Sequence, residues 1–298
     1  MRSIWVAILL LFILSSFGLA GQDWSEIRVR LFSQSRFQKA TVTLDSGLYY
    51  LMAVNEKGLM VDTIYDVFPG DPQRTFYLRT LGDRVNLYRG SQHLGKFQQL
   101  YIRSTDSLSQ FRIAAAQQER AYYGDLRFWS EQNQLRVVNQ VPLEHYVAGV
   151  VESEAGHVGL LEFFKAQAVL ARTYAIRKWD KHLEDGYNLK DDVSSQVYKN
   201  RAHYTYRDLI YQSVEATRDT LLVLENCRPI LSVFHANSGG ITLNSEDVWL
   251  SPLSYLRSRR DSFSVGVGSY RWERHFTSQR FFGFFARKLG VPNDLNLQ

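Results

Sequence analysis

From Ile27 to about Val141, apolar and β-branched residues alternate with polar ones in short runs broken by turn residues: IRVRLF, ATVTL, YYLMAV, TFYLRTL, RVNLYRG, FQQLYIR and LRFWSEQNQLRVV. A period of two with one apolar side is the pattern of strands that bury a single face, so this half is predicted to be β-rich. In the last run a polar tetrapeptide, Glu131-Gln132-Asn133-Gln134, stands between aromatic and branched residues and predicts a hairpin.

The period changes after Val141. Pro142 is tolerated where a first helical turn has a free N–H position, and Glu144 suits the positive end of a helix, so a helix is predicted to begin here. Leu143, Tyr146, Val147, Val150 and Val151 follow the three-and-four spacing of one buried stripe. At about 100° per residue from Leu143, Glu152 falls at roughly 180°, opposite the stripe, and Glu154 at roughly 20°, near its centre. An inward carboxylate at a helix end is costly unless paired or protonated, and desolvation of that kind suits a general acid. A helix that ends before Glu154 leaves it a surface residue instead.

A second helical pattern runs from Leu160 to about Trp179, with Leu160, Phe163, Phe164, Gln167, Ala171, Tyr174 and Ala175 on one face. Gln167 lies inside that face and needs a hydrogen-bond partner, structural or substrate. Lys165 and Arg172, seven residues apart, stack on one ridge beside it, positioned to clamp a polar ligand, to pair with Glu154, or simply to be solvated. After the polar stretch DDVSSQVYKN (191–200), a helix is expected from about Thr205 to Thr217. Two strands, LLVLE from Leu221 and PILSVFHA from Pro229, are expected to follow, joined by a turn at Asn226-Cys227-Arg228. Ser238-Gly239-Gly240 marks a tight turn or a close backbone approach. FFGFFARKLG near the end reads as a packing helix.

Composition adds compartment and excludes some chemistries. With 45% hydrophobic residues and 14% aromatics over 298 positions, the chain has a core large enough for one or two domains. The net charge of +5 is spread along the sequence without a dense basic run, so no nucleic-acid partner is expected. Arg2, an apolar run from Ile4 to Leu14 and small residues up to Ala20 make a secretory signal, with cleavage expected after Ala20. Export to the periplasm, wall or exterior follows, with membrane attachment only through an uncleaved N-terminal anchor. The single cysteine, Cys227, permits no internal disulfide and no multi-Cys metal cluster, and is expected to be a buried, inert thiol.

Four segments in order, PLEHYVAGVVESEAG (142–156), LLEFFKAQAVLARTYAIR (160–177), DDVSSQVYKN (191–200) and FHANSGGITLNSEDVWLSPLSYLRS (234–258), resemble the SpoIID/LytB family of sporulation-associated lytic transglycosylases and amidase enhancers. The resemblance implies an α+β fold: a β-rich N-terminal region (21–140), scaffold or wall-binding, then a mixed α/β SpoIID-like catalytic domain (141–298). It implies Glu154 as the catalytic glutamate, Arg172 as a glycan-binding residue, and Tyr255 and Arg257 as substrate contacts. Gln167 and Ser238 join the expected substrate-binding set, with His235, Gly239 and Gly240 shaping the cleft. The family usually has Met-Pro after the glutamate where this chain has Ala155-Gly156, and relatives commonly continue with more β structure beyond the position of Leu289. Some members bind zinc through Cys and His near the Gln-Val-Tyr motif. Here Ser194 and Ser195 precede Gln196, and residues 190–200 contain no Cys or His, so no metal and no other cofactor is expected.

The expected reaction is cleavage of peptidoglycan glycan strands, stripped of stem peptides, between N-acetylmuramic acid and N-acetylglucosamine, leaving 1,6-anhydro ends. One carboxylate serves as acid and then base, because the substrate supplies the nucleophile. Asp192, Glu246 and Asp247 are candidates for a second carboxylate, which would allow hydrolysis, although Asp247 suits a capping role. The alternative is a non-catalytic peptidoglycan-binding enhancer whose second partner is a cell-wall amidase. A thiol enzyme built on Cys227 and His235 is a third reading.

Overall fold

The computed structural model describes residues 23–54, 60–156, 159–202, 206–249, 251–271 and 273–289, so the signal segment lies outside the described residues. The chain forms two compact units, one up to Ser232 and one from Val233. Among the described residues no helix is long and apolar enough to cross a membrane.

The first unit is built on two antiparallel sheets. One contains β1 (Glu26–Leu31), β3 (Tyr49–Val54), β4 (Met60–Val67), β8 (Gln99–Ser104), β11 (Asp125–Glu131), β12 (Gln134–Pro142) and the short parallel β13 (Leu189–Lys190), in the order β13-β1-β12-β11-β8-β3-β4. The other contains β2 (Lys39–Leu44), β5 (Thr75–Leu81), β6 (Arg84–Arg89), β7 (Gln92–Phe97), β9 (Gln110–Ala115) and β10 (Gln118–Tyr123), in the order β10-β9-β2-β5-β6-β7. Every run singled out by its alternation contributes to a strand, and the hairpin at 131–134 forms between β11 and β12. Its tip residues Gln132 and Asn133 have φ of 52° and 58°, the left-handed pair of a turn that matches strand twist. β4, β7, β9 and β10 are not among the runs singled out, although β9 alternates cleanly, with Phe111, Ile113 and Ala115 buried. The inward sets, such as Val29, Leu51, Ile102 and Phe128 from one sheet and Val42, Phe76, Leu87 and Ile113 from the other, meet in one core.

That core continues into three helices, α1 (Leu143–Ala155), α2 (Leu161–Arg177) and α3 (Arg207–Ala216), which pack on one another, with α1 against β1 and β12. The change of period at Val141 therefore marks a change of element type within one unit, and the division between units falls at 232/233. The predicted stripe of α1 is buried, but the wheel's contrast is reversed: Glu152 is only 5% exposed, and Glu154 is half-buried. α1 is enclosed on more than one side, so Ala148, Gly149 and Glu152 are covered as well as the stripe.

On α2 the expected face is rotated. Leu160 and Phe163 are exposed, and Phe164, Ala168, Ala171 and Ala175 form the buried side. The two strands expected after Leu221 do not form; the chain makes a tight arm closed by one bridge, Val223 to Pro229. Cys227 sits at its tip with φ 59°, exposed rather than buried.

The second unit holds α4 (Ser245–Trp249) and α5 (Ser278–Leu289), and a bridge from Ile241 to Arg260. α5 forms where FFGFFARKLG predicts a helix, but Phe281 and Phe284 stay about half exposed, so it is not the packed helix expected. Gly239 and Gly240 adopt φ of 70° and 101°, which realises the tight turn.

Candidate functional site

The polar stretch 191–200 becomes structural by lying along α1. Its start is fixed by Asp191, whose carboxylate accepts the N–H groups of Phe32 (2.6 Å) and Ser33 (3.0 Å) and pairs with Arg120 at 2.7 Å. Its end passes over Gly149, where a Cβ would meet the Asn200 carbonyl oxygen and the Tyr198 ring, each at 2.5 Å. Glycine is required there by close approach rather than by backbone angle. The Tyr198 ring packs between Tyr122 and Tyr146, at 5.0 and 4.9 Å between centroids, and its hydroxyl donates to Asn139 Oδ1.

This packing lays 196–199 against the last two turns of α1. The Val197 N–H donates to Glu154 Oε1 at 2.7 Å, the Lys199 N–H to Ser153 Oγ at 3.2 Å, and Tyr146 Oη to Gln196 Oε1 at 3.1 Å. Burial raises the Tyr146 phenol well above its usual value, and the nearby Tyr174 phenol and Glu154 carboxylate add to that. Tyr146 is thus a neutral donor at any working pH. Among the described residues no group donates to the other oxygen of Glu154, so this half-buried carboxylate is positioned through one oxygen and chemically available through the other. Its holder, the backbone of Val197, and the buried Gln196 were not foreseen as site groups. The only sequence signal for them is the polar, non-periodic character of 191–200.

Arg172 lies elsewhere. Its guanidinium, 1% exposed, donates to both oxygens of Glu144 at 2.8 and 2.6 Å and to the carbonyls of Val214 (3.2 Å) and Thr220 (3.3 Å). Glu144 opens α1 and Glu154 closes it, ten residues or about 15 Å along the axis. Arg172 therefore ties α2 to the start of α1 and the end of α3, and does not pair with Glu154. It also borders a cavity of about 630 Å³ with Trp24, His145 and Arg218. Lys165 pairs with Glu162 on its own helix. Gln167 is buried, and its Nε2 lacks a hydrogen-bond partner among the described residues.

In the second unit, Arg257 forks onto both oxygens of Glu246 (2.6 and 2.8 Å) and reaches the Leu253 carbonyl. Ser238 donates to Asp261 at 2.7 Å and contacts Ser264, closing the glycine turn. Tyr255 is half-buried and His235 exposed. Of these, His235 and Ser238 line a mostly apolar cavity of about 490 Å³ together with Trp249, and Arg257 and Tyr255 are not in its lining.

The candidates for a second carboxylate are engaged. Glu246 holds Arg257, Asp247 accepts from Asn244 Nδ2 at 3.0 Å, and Asp192 accepts the Ser194 N–H at 2.7 Å and contacts Ser33 Oγ. Near the Gln-Val-Tyr segment, Ser195 Oγ accepts the Lys190 N–H and the Ser194 carbonyl takes the Lys181 ammonium. Residues 190–200 carry no Cys or His, and among the described residues no group of three His, Cys, Asp or Glu side chains could hold a metal, so the donors described do not fit zinc and no step below is routed through a metal.

Comparison with known proteins falls on this same stretch. Residues 131–224 match the family model SpoIID, stage II sporulation protein. The chain is 32% identical over 170 residues to stage II sporulation protein D of Bacillus subtilis (strain 168), covering 53% of this chain and 48% of that protein. It is 32% identical over 167 residues to stage II sporulation protein D of Bacillus amyloliquefaciens, covering 52% and 47%. Against the amidase enhancer of Bacillus subtilis (strain 168) it is 32% identical over 120 residues, which is 40% of this chain and 16% of that protein. The chain thus spans about half the length of the sporulation proteins it matches. Residues 131–224, which carry α1, α2, α3, Glu154 and the Gln196–Tyr198 segment that holds it, are thus similar to the SpoIID family, and the likeness extends to the amidase enhancer.

Proposed function

We propose that the protein is an exported peptidoglycan lytic transglycosylase in which Glu154 is the acid and base. The observation that carries this reading is the Glu154 carboxylate itself: half-buried at the end of α1, held by the Val197 N–H through one oxygen, with no described donor on the other. Protonated, Glu154 gives its proton to the glycosidic oxygen between N-acetylmuramic acid and N-acetylglucosamine, and the C1–O bond breaks. The C6 hydroxyl of the muramyl residue then attacks C1 and returns its proton to the Glu154 carboxylate, which closes the 1,6-anhydro ring and resets the enzyme. Because the nucleophile belongs to the substrate, the engagement of Asp192, Glu246 and Asp247 in other bonds is no obstacle. In the same reading, Tyr255, Arg257, Gln167 and Ser238 contribute to glycan binding, and Arg172 acts by holding the helices that carry Glu154.

A second reading is favoured by the likeness to a protein named amidase enhancer and by Ala155-Gly156 after the glutamate, with Gly156 at φ 77°. In it, the protein binds the wall and assists a cell-wall amidase without cleaving glycan. Mass spectrometry of purified strands, with and without stem peptides, separates the two. Anhydro-ended fragments from the wild type and none from Glu154→Gln are expected. Reducing ends mean hydrolysis instead, and no fragments from either folded protein leave the enhancer reading.

A further inference from the structure

The outward face of the second sheet carries two cross-strand rows that the cleavage site does not use. Thr41, Tyr77, Tyr88 and His93 stand opposite one another on β2, β5, β6 and β7. The rings of Tyr77 and Tyr88 are 6.1 Å apart and those of Tyr88 and His93 4.8 Å. The row beside it, two residues along β2, β5 and β6, three along β7, and about 7 Å away, is Lys39, Arg79, the buried Asn86 and Lys96. The pairing slips between Leu87 and Tyr88, so Leu94 is the extra residue of a bulge. That slip lets Leu94 pack on the core while both His93 and Lys96 remain exposed in their rows.

The charge on this face is unbalanced. Lys39, Arg79 and Lys96 are exposed and make no ion pair among the described residues, whereas the acids Asp45 and Glu119, toward the β9 and β10 edge of the same face, are both taken by Arg112. A strip of rings offers flat apolar surface to the C–H faces of sugars. A parallel strip of free cations offers charge-assisted hydrogen bonds to carboxylates at a fixed offset from those faces.

We propose that this face is a docking platform for a carboxylate-bearing glycan, with sugar rings on Tyr77, Tyr88 and His93 and acid groups on Lys39, Arg79 and Lys96. It deepens the transglycosylase reading by giving the glycan strand a second hold remote in sequence from Glu154.

The test uses the full chain carrying Glu154→Gln, so that binding is read without cleavage, and peptide-free peptidoglycan strands as the probe in calorimetry. Tyr77→Ala with Tyr88→Ala is expected to weaken binding about tenfold or more on native strands and on strands with reduced carboxyls alike. Lys39→Gln, Arg79→Gln and Lys96→Gln together are expected to weaken binding to native strands only and to flatten its salt dependence. These three side chains are exposed, so this variant keeps the test independent of folding. Unchanged affinity in both variants overturns the platform, as does tighter binding of single-stranded DNA or poly(glycerol phosphate) than of strands. Wild-type protein that binds strands through these residues yet cleaves none supports the platform and removes the transglycosylase reading.

Discussion

Cutting the clamp between Glu144 and Arg172 is the sharpest test of how α1 is held. Arg172 is 1% exposed, and among the described residues Glu144 is the carboxylate that pairs with it directly, with a side chain 15% exposed at the edge of a cavity. The guanidinium cannot shed its proton. Glu144→Gln therefore strands a buried cation on two carbonyls, and the expected loss is about 3–5 kcal/mol. Arg172→Met leaves a carboxylate that cavity water can reach, so the loss should be smaller, about 1–3 kcal/mol. The double variant removes both charges and should cost less than the sum of the singles, with a coupling of about 0.5–3 kcal/mol. Urea unfolding followed by far-ultraviolet circular dichroism measures all four corners of the cycle. A Glu144→Gln loss below about 1 kcal/mol, or strict additivity, refutes the clamp. If Arg172 instead contacts glycan directly, Arg172→Met raises KM on strands and leaves stability untouched.

Three further outcomes follow from the geometry. Gly149→Ala pushes a methyl into the Asn200 carbonyl and the Tyr198 ring, so it should cost about 1–3 kcal/mol and lower kcat by shifting the segment that holds Glu154; wild-type melting and turnover would contradict this. Burial lowers the His145 imidazole below its usual value, with Glu144 opposing. The unfolded chain therefore takes up that proton first as pH falls through about 6.5, so stability is full above that pH and declines on acidification toward the folded value. Thermal melts from pH 8 to 5 should show this slope, and His145→Gln should flatten it; an unchanged slope refutes the assignment. Cys227 is exposed at the tip of its turn and should be alkylated to completion in the folded protein without loss of activity, whereas inactivation in step with labelling would revive a thiol mechanism.

Much of the site's location was legible. The period change at Val141, the apolar stripe of α1 and the motif around Glu154 are local features, and the structure carries them as a helix ending near that residue. What could not be read is what the residues touch. Arg172 and Glu144 are 28 positions apart, Glu154 and Val197 are 43 apart, and Asp191 reaches back about 160 positions to β1's end. No local period encodes such pairings.

The amino-acid sequence by itself determined that the first half is stranded and that helices follow Val141, because alternation, helical spacing and turn chemistry act between near neighbours; that the first helix reaches Glu154 was decided by the structure. Only the tertiary structure decided which carboxylate of α1 is buried, which cation is locked away and which rows of side chains face outward. A helical wheel assumes one buried face, whereas α1 is enclosed on several sides, so Glu152 disappears inside and Glu154 remains reachable. The bulge at Leu94 likewise sets the outward register of β7 through pairing with β6, and strand register is a property of two chain segments together rather than of either one.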